Sequence, residues 1–241
     1  MNSSAPRIGF DRFIQLEWVA SVLEVRAGVA SIDELNAQLE VSDLGKEARA
    51  KTRTKLNSFG LQPRAELADF IDRGLLLAHR NMQNDEILAY AWGVAVVTYP
   101  FFGRVAELVG RLTSIQGDCS ISEIHRRMSE VYGDRAVTKR AVQAVLQSQA
   151  NWGVLTRVEK GRRLNCLPSK SIDSDELTTW LIEGAVRYTN KPVSIPSLQS
   201  LPVLFPFTLT RPLAYVVSNS PNLSLRLEGP SNQLVALQDT L

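Results

Sequence analysis

Residues 121–167 read ISEIHRRMSEVYGDRAVTKRAVQAVLQSQANWGVLTRVEKGRRLNCL. At the start of this stretch, Ile121, Ile124, Met128 and Val131 recur at helical spacing, and Gly133-Asp134 ends the run. A second amphipathic helix is predicted from Thr138, as its N-cap, to about Trp152. Two alternating segments, 154–158 and 163–167, flank a turn that contains glycine. The stretch therefore predicts a helix, a turn, a second helix and a β-hairpin.

Basic charge is concentrated in the same part of the chain. Residues 119–170 hold ten Lys and Arg against four Asp and Glu, whereas the rest of the chain holds 17 against 21. A further amphipathic stripe, made by Phe101, Val105, Leu108 and Leu112, precedes the stretch. A clustered positive charge of this kind favours a polyanionic partner.

The order of helix, helix, turn, helix and basic hairpin over residues 101–167 resembles the winged helix-turn-helix superfamily. The resemblance implies double-stranded DNA as the partner, with the last helix in the major groove and the hairpin against the backbone or the minor groove. The chain also faintly resembles BrxA-type accessory proteins of bacterial phage-defence (BREX) islands. These resemblances imply a bacterial transcriptional regulator or a DNA-associated accessory subunit.

The winged-helix resemblance assigns roles to individual side chains. On the face of the second helix opposite Val142 and Val145, four side chains suited to base edges line up: Arg140, Gln143, Gln147 and Asn151. Six basic side chains are expected near phosphates: Lys139, Arg126 and Arg127 on the helices, and Lys160, Arg162 and Arg163 on the hairpin.

Two other interpretations remain open at this stage. Arg, Gln and Asn are also common on solvated helix faces, and a basic hairpin tip also keeps an edge strand soluble. Winged folds also dock proteins, so the alternative function is that of an adaptor in a multiprotein complex without DNA contact. A second basic patch, with Lys46, Arg49 and Arg53 on one helix face, is either a second DNA-contacting unit or a solvated helix.

The whole chain is predicted to be mainly α (α+β) in three parts. Residues 1–99 are expected to form an N-terminal helical bundle, 100–170 the winged helix-turn-helix, and 171–241 a helix followed by a small β appendage. Seven of the eleven prolines fall between Lys191 and Leu241, which disfavours long helices there. The short runs at 213–218, 223–228 and 233–237 are predicted to be β-strands.

Signals for catalysis are weak. No Gly-rich phosphate loop or paired-histidine zinc motif occurs, and neither His79 nor His125 has a Cys or Asp at ligand spacing, so no enzyme activity, cofactor or metal is predicted. Two cysteines and a start, Met1 to Arg7, without signal-peptide features predict a cytoplasmic protein. The uncharged run 87–102 is too short for a membrane span. A homodimer or a larger protein complex is compatible with these features.

Overall fold

The structure is a computed structural model that describes residues 6–81, 84–228 and 232–238. Part of the segment on which the signal-peptide prediction rests therefore lies outside the described residues. The described chain is mainly helical with small sheets, as predicted. Its N-terminal half contains five helices: α1 (Leu16–Arg26), α2 (Ile32–Glu40), α3 (Lys46–Leu56), α4 (Ala68–Asn81) and α5 (Asn84–Thr98).

The central segment folds into three helices and a three-stranded sheet: α6 (Pro100–Gln116), β1 (Asp118–Ser120), α7 (Ile121–Tyr132), α8 (Ala136–Asn151), β2 (Leu155–Val158) and β3 (Arg163–Cys166). The sheet is antiparallel in the order β1-β3-β2, with Cys119 and Arg157 both opposite Leu164. The predicted helices and hairpin are confirmed at this level, whereas β1 was not predicted.

Two details of the central helices differ from the sequence prediction. Helix α8 begins two residues before Thr138, with Arg135 as its extended N-cap, so Thr138 is a buried residue of the first turn and not the cap. At the end of α7 the buried position is Tyr132, whereas Val131 is 45% exposed. Ser120 caps α7 by accepting a hydrogen bond from the backbone N–H of Glu123 at 3.3 Å.

The C-terminal segment contains one long helix and several short elements: β4 (Lys170–Ile172), α9 (Asp175–Thr189), β5 (Val193–Ser194), α10 (Ile195–Gln199), β6 (Phe207–Leu209), α11 (Leu213–Ser218), β7 (Leu223–Leu227) and β8 (Gln233–Leu237). Strands β4 and β6 are parallel, and β5, β8 and β7 form an antiparallel sheet in that order. The strands predicted at 223–228 and 233–237 are confirmed.

The strand predicted at 213–218 is wrong, because this segment is the helix α11. Leu213, Val216 and Val217 are buried, at the spacing of one helix face, and they pack in the same cluster as Ile182 and Val186 of α9. Apolar β-branched residues are as compatible with a short helix as with a strand when the run has only six residues.

One hydrophobic core joins the N-terminal helices, the central segment and α9. The Trp180 ring of α9 stacks on Phe70 at 4.5 Å and on Tyr90 at 6.1 Å between ring centroids. A second, smaller cluster lies between α9, α11 and the C-terminal sheet. The main core thus runs across the predicted boundaries at 99/100 and 170/171.

Within the ranges that the structure describes, no single helix is long and apolar enough to cross a membrane. Helices α5 and α6 meet that standard only when they are taken together, and they are bent by 116° at their junction.

Candidate nucleic-acid interface

Helix α8 presents a polar face to solvent. Lys139, Arg140 and Gln147 are exposed and Gln143 is half-buried on this face. The opposite face is buried in the core through Val142, Val145, Leu146 and Gln149. The structure therefore brings four of the predicted α8 side chains together on one outward surface, which has the polarity that a groove-reading helix requires.

Gln143 is oriented by neighbours on both sides of α8. Its amide oxygen accepts a hydrogen bond from the Arg157 guanidinium at 3.3 Å, and its amide nitrogen lies 3.3 Å from Nε2 of His125 on α7. Burial, with the Lys139 charge, lowers the pKa of His125, so the neutral imidazole can accept from that amide. Hydrogen bonds thus link His125 on α7, Gln143 on α8 and Arg157 on β2.

Arg157 is a candidate interface residue that the sequence analysis did not select. It lies opposite the buried Leu164 in the β2–β3 ladder, and residues paired in this way share a face of the sheet. Strand β2 lies at the edge of the sheet, and from there the Arg157 guanidinium reaches Gln143 on α8. Strand alternation, counted from the apolar Leu155, would have identified it.

The turn between β2 and β3 places two cations in solvent. Glu159, Lys160 and Gly161 have positive φ values of 49°, 55° and 81°, which form a tight left-handed turn. Lys160 and Arg162 are exposed, and neither has a carboxylate partner within the described residues. Both are therefore available to a phosphate, and the phosphate contact stays a prediction.

Arg163, the next residue, has a structural partner instead. Its Nε donates to Asp118 on β1 at 2.6 Å, and a second guanidinium nitrogen bonds the other carboxylate oxygen. The Arg163 hydrogen bonds hold the pKa of Asp118 below its ordinary value. This bidentate pair joins β1 to β3, so the phosphate role predicted for Arg163 is replaced by a role in the sheet.

Arg126 and Arg127 on α7 are also engaged within the protein. Arg126 pairs with Glu123 at 2.8 Å and with Glu130 at 2.5 Å, and Arg127 pairs with Glu123 at 2.6 Å. Hydrogen bonds from Arg126 and Arg127 lower the pKa of Glu123 to about 2. Because each guanidinium is matched by a carboxylate, neither is a free phosphate contact.

The C-terminal end of α8 is covered by the segment that leads into α1. The Asn151 side-chain oxygen accepts from the backbone N–H of Leu16 at 2.9 Å, and Ser148 accepts from the N–H of Ile14 at 2.9 Å. The Trp152 indole donates to the Ile14 carbonyl at 2.9 Å. Asn151 is thus part of a junction between segments, and the outward face available for a groove ends near Gln147.

Half of the central basic charge is neutralised internally. Of the ten cations in residues 119–170, five have carboxylate partners: Arg126, Arg127, Lys139, Arg163 and Lys170. The other five have none in the described part of the chain: Arg135, Arg140, Arg157, Lys160 and Arg162. The unpaired set lies on α8 and the hairpin, which were predicted to face nucleic acid, and on the α7–α8 turn, which was not.

Comparison with known proteins assigns no function to this surface. The chain matches no protein-family model, no curated protein and no solved structure. The resemblances to the winged helix-turn-helix superfamily and to BrxA-type proteins therefore stay predictions.

The second basic patch, on α3, is partly used to hold the N-terminal helices together. Arg53 donates to Asn36 on α2 and to Asn57, and Arg49 donates to the Glu40 carbonyl at 3.4 Å. Lys46 is exposed and has no partner among the described residues. Two of the three residues of this patch, Arg49 and Arg53, therefore bond α3 to α2 and to the segment that follows α3.

Neither histidine lies in a metal-binding cluster. Among the residues whose placement the structure describes, no group of three or more His, Cys, Asp or Glu side chains could hold a metal ion. Cys119 and Cys166 are free thiols, and burial raises the pKa of Cys119 to about 12.

Proposed function

We propose that the chain binds double-stranded DNA, with α8 in the major groove and the β2–β3 hairpin beside the sugar-phosphate backbone. It would act as a transcriptional regulator or as a DNA-associated accessory subunit, by binding and not by catalysis. The observation that carries the proposal is that the five cations of residues 119–170 without a carboxylate partner among the described residues all lie on the α7–α8 turn, α8 and the hairpin. Desolvating a cation is least costly where phosphate replaces its water.

The arrangement of elements supports the same proposal. The helices α6, α7 and α8 followed by a basic hairpin resemble the winged helix-turn-helix pattern, in which the last helix enters the major groove by its N-terminal residues. In this chain the outward face of α8 runs from its N-terminal end to about Gln147, because residues 14–16 bond to Ser148 and Asn151 near its C-terminal end.

Two classes of contact are expected on this surface. Arg140, Gln143 and Gln147 would address base edges, and each good bidentate pair discriminates by about 1–3 kcal/mol. Lys160 and Arg162 would contact phosphates and contribute equally to the affinity for every DNA sequence. Arg157 would keep the Gln143 amide in one orientation, since it donates to the amide oxygen.

A salt titration with duplex DNA tests the proposal. Fluorescence anisotropy should show binding that weakens with salt by about 0.9 log units per log unit of salt for each phosphate neutralised. Arg140→Ala and Gln143→Ala should reduce the preference between sequences, whereas Lys160→Ala and Arg162→Ala should weaken all sequences alike. Lys191→Ala, which removes an exposed cation just after α9, is the matched control. Binding that is absent at low salt would overturn the proposal.

One observation favours the adaptor function as a second candidate. Val131 and Val137 are 45% and 36% exposed on either side of the α7–α8 turn, and apolar side chains at such a position suit a protein surface. An adaptor would show no duplex binding at low salt and would lose its protein partner when Val137 is replaced by Ser. The same anisotropy measurement therefore separates the two candidates.

A further inference from the structure

A basic cleft lies between the N-terminal segment, α3, the α5–α6 junction and the C-terminal end of α7. It has a volume of about 740 Å³. Its lining includes three cations, Arg7, Lys55 and Arg64, and no Asp or Glu occurs among the described residues that line it. Five hydroxyl-bearing side chains line it as well: Thr54, Ser58, Thr98, Tyr99 and Tyr132. Cations and hydroxyl donors without carboxylates match the chemistry of a phosphate group.

The position of Lys55 is fixed by the fold. Its ammonium lies 3.1 Å from Asp11, donates to the Gly9 carbonyl and lies 5.9 Å from the centre of the Tyr99 ring. Asp11 balances this one charge. Arg7 and Arg64 are exposed, and neither has a carboxylate partner in the part of the chain that the structure describes, so the cleft keeps a positive excess.

A buried hydroxyl at the cleft has no partner. Thr98 is 1% exposed, lines the cleft, and its Oγ1 makes no hydrogen bond with any described residue. A buried polar atom left unpaired costs about 1–3 kcal/mol, and such atoms are uncommon in folded proteins. A ligand oxygen that reached this hydroxyl would remove the cost.

The dimensions of the cleft indicate a ligand larger than inorganic phosphate. Small-molecule sites commonly have volumes of about 300–1,000 Å³ and combine apolar walls with a few polar groups. Here Pro6, Ile8 and Pro100 supply apolar wall next to the cations. We propose that this cleft binds a phosphorylated small molecule of the size of a nucleoside monophosphate, with the phosphate between Arg7, Lys55 and Arg64.

Isothermal titration calorimetry of the full chain tests the proposal with three probes: adenosine monophosphate, inorganic phosphate and adenosine. The monophosphate should bind, inorganic phosphate should bind more weakly, and adenosine should give no heat. Arg7→Ala and Arg64→Ala should each lower the affinity for the monophosphate by about tenfold, the expected effect of losing one charge-assisted hydrogen bond. Lys191→Ala should leave this affinity unchanged. No heat from the monophosphate at millimolar concentration, or affinities unaltered in both arginine variants, would overturn the proposal.

Thr98→Val provides a test that does not depend on a charge. Because the hydroxyl is unpaired in the protein alone, the variant should have an unchanged or higher melting temperature and a weaker affinity for the monophosphate. An unchanged affinity would remove Thr98 from the site and contradict the proposal.

The phosphate could instead belong to duplex DNA, and the same variants distinguish the two sources. If the cleft takes a small ligand, Arg7→Ala and Arg64→Ala will bind duplex as the wild type does. If both variants lose duplex affinity and the monophosphate does not bind, the cleft is a backbone contact and the proposal is wrong. The calorimetry does not depend on whether the α8 surface binds DNA, so the two proposals can fail separately.

Discussion

Arg162 and Arg163 are adjacent in the hairpin, but their side chains have different partners. Arg163 is held by the Asp118 carboxylate on β1, and Arg162 is exposed with no carboxylate partner in the described ranges. The two positions are indistinguishable by residue type, so the difference comes from their place in the fold: Arg162 ends the turn and Arg163 is the first residue of β3.

We therefore expect opposite effects when the two arginines are replaced. Arg162→Ala should leave the melting temperature unchanged and reduce the salt slope of duplex binding by about 0.9, because one phosphate contact is lost. Arg163→Ala should lower the melting temperature and leave the salt slope unchanged, because the β1–β3 pair is lost. Thermal unfolding and salt-dependent anisotropy of both variants check this. A reduced salt slope in Arg163→Ala would show that Arg163 contacts a phosphate.

Glu123 makes the stability of the protein depend on pH. Arg126 and Arg127 lower its pKa from 4.5 to about 2, so the folded state favours the ionised carboxylate. Its contribution to stability is complete above about pH 4.5 and is lost as the pH falls towards about 2, since the unfolded state takes up the proton first.

We expect the melting temperature of the wild type to fall more steeply over this pH window than that of Glu123→Gln. Glutamine keeps the shape of the side chain but cannot ionise, so the variant lacks this proton linkage. Thermal melts between about pH 2 and pH 5, which bracket this transition, measure the difference. Parallel curves would show that the Arg126–Glu123–Arg127 group does not contribute to stability.

At the scale of elements, the packing of α4, α5 and α9 depends on two glycines. A Cβ atom at Gly74 or at Gly93 would lie 2.4 Å from the Trp180 ring. The ring cannot move away easily, because its indole N–H donates to the Phe70 carbonyl at 2.8 Å and its face stacks on Phe70. The glycines are therefore required by the close approach of the helices.

Gly93→Ala should destabilise the protein by about 1–3 kcal/mol, the usual cost of overpacking a core. Gly184→Ala is the matched control, because its Cβ would lie 3.2 Å from the nearest atom, Cζ of Phe70. There the gain in helix propensity, up to about 1 kcal/mol, should offset the tighter contact. Urea unfolding of the two variants measures the contrast, and equal free energies of unfolding would contradict it.

At the scale of the whole molecule, the central segment shares its core with the N-terminal helices. The Phe102 ring lies 5.2 Å from Phe10 and 5.1 Å from Trp92, measured between ring centroids. Trp152 is bonded to Ile14 through its indole N–H. These contacts cross the boundary predicted at 99/100.

We expect a fragment of residues 100–170 not to fold by itself, because Phe102 and Trp152 would lose these partners and expose their rings to water. The full chain should unfold in one cooperative step. Circular dichroism melts of the fragment and of the full chain check both statements. A fragment with native helix content and a cooperative melt would show that the central segment is an independent domain.

Much of the local structure could be predicted from the sequence, because its signals lie within a few residues. The apolar periods of α7 and α8 predicted which of their faces are buried, with Val131 as the exception. Local signals fail where a run is short, as in α11, whose six residues satisfy both a helix and a strand pattern.

The sequence by itself determined the helices, the hairpin and the concentration of basic residues in the middle of the chain. Only the tertiary structure decided which of these cations are available. Arg163 is neutralised by a residue 45 positions away, Asn151 is bonded to one 135 positions away, and Arg157 on β2 donates to Gln143 on α8, 14 positions away. An ion pair or a hydrogen bond depends on distance in space, and neither residue type nor periodicity encodes that distance for segments far apart in the chain.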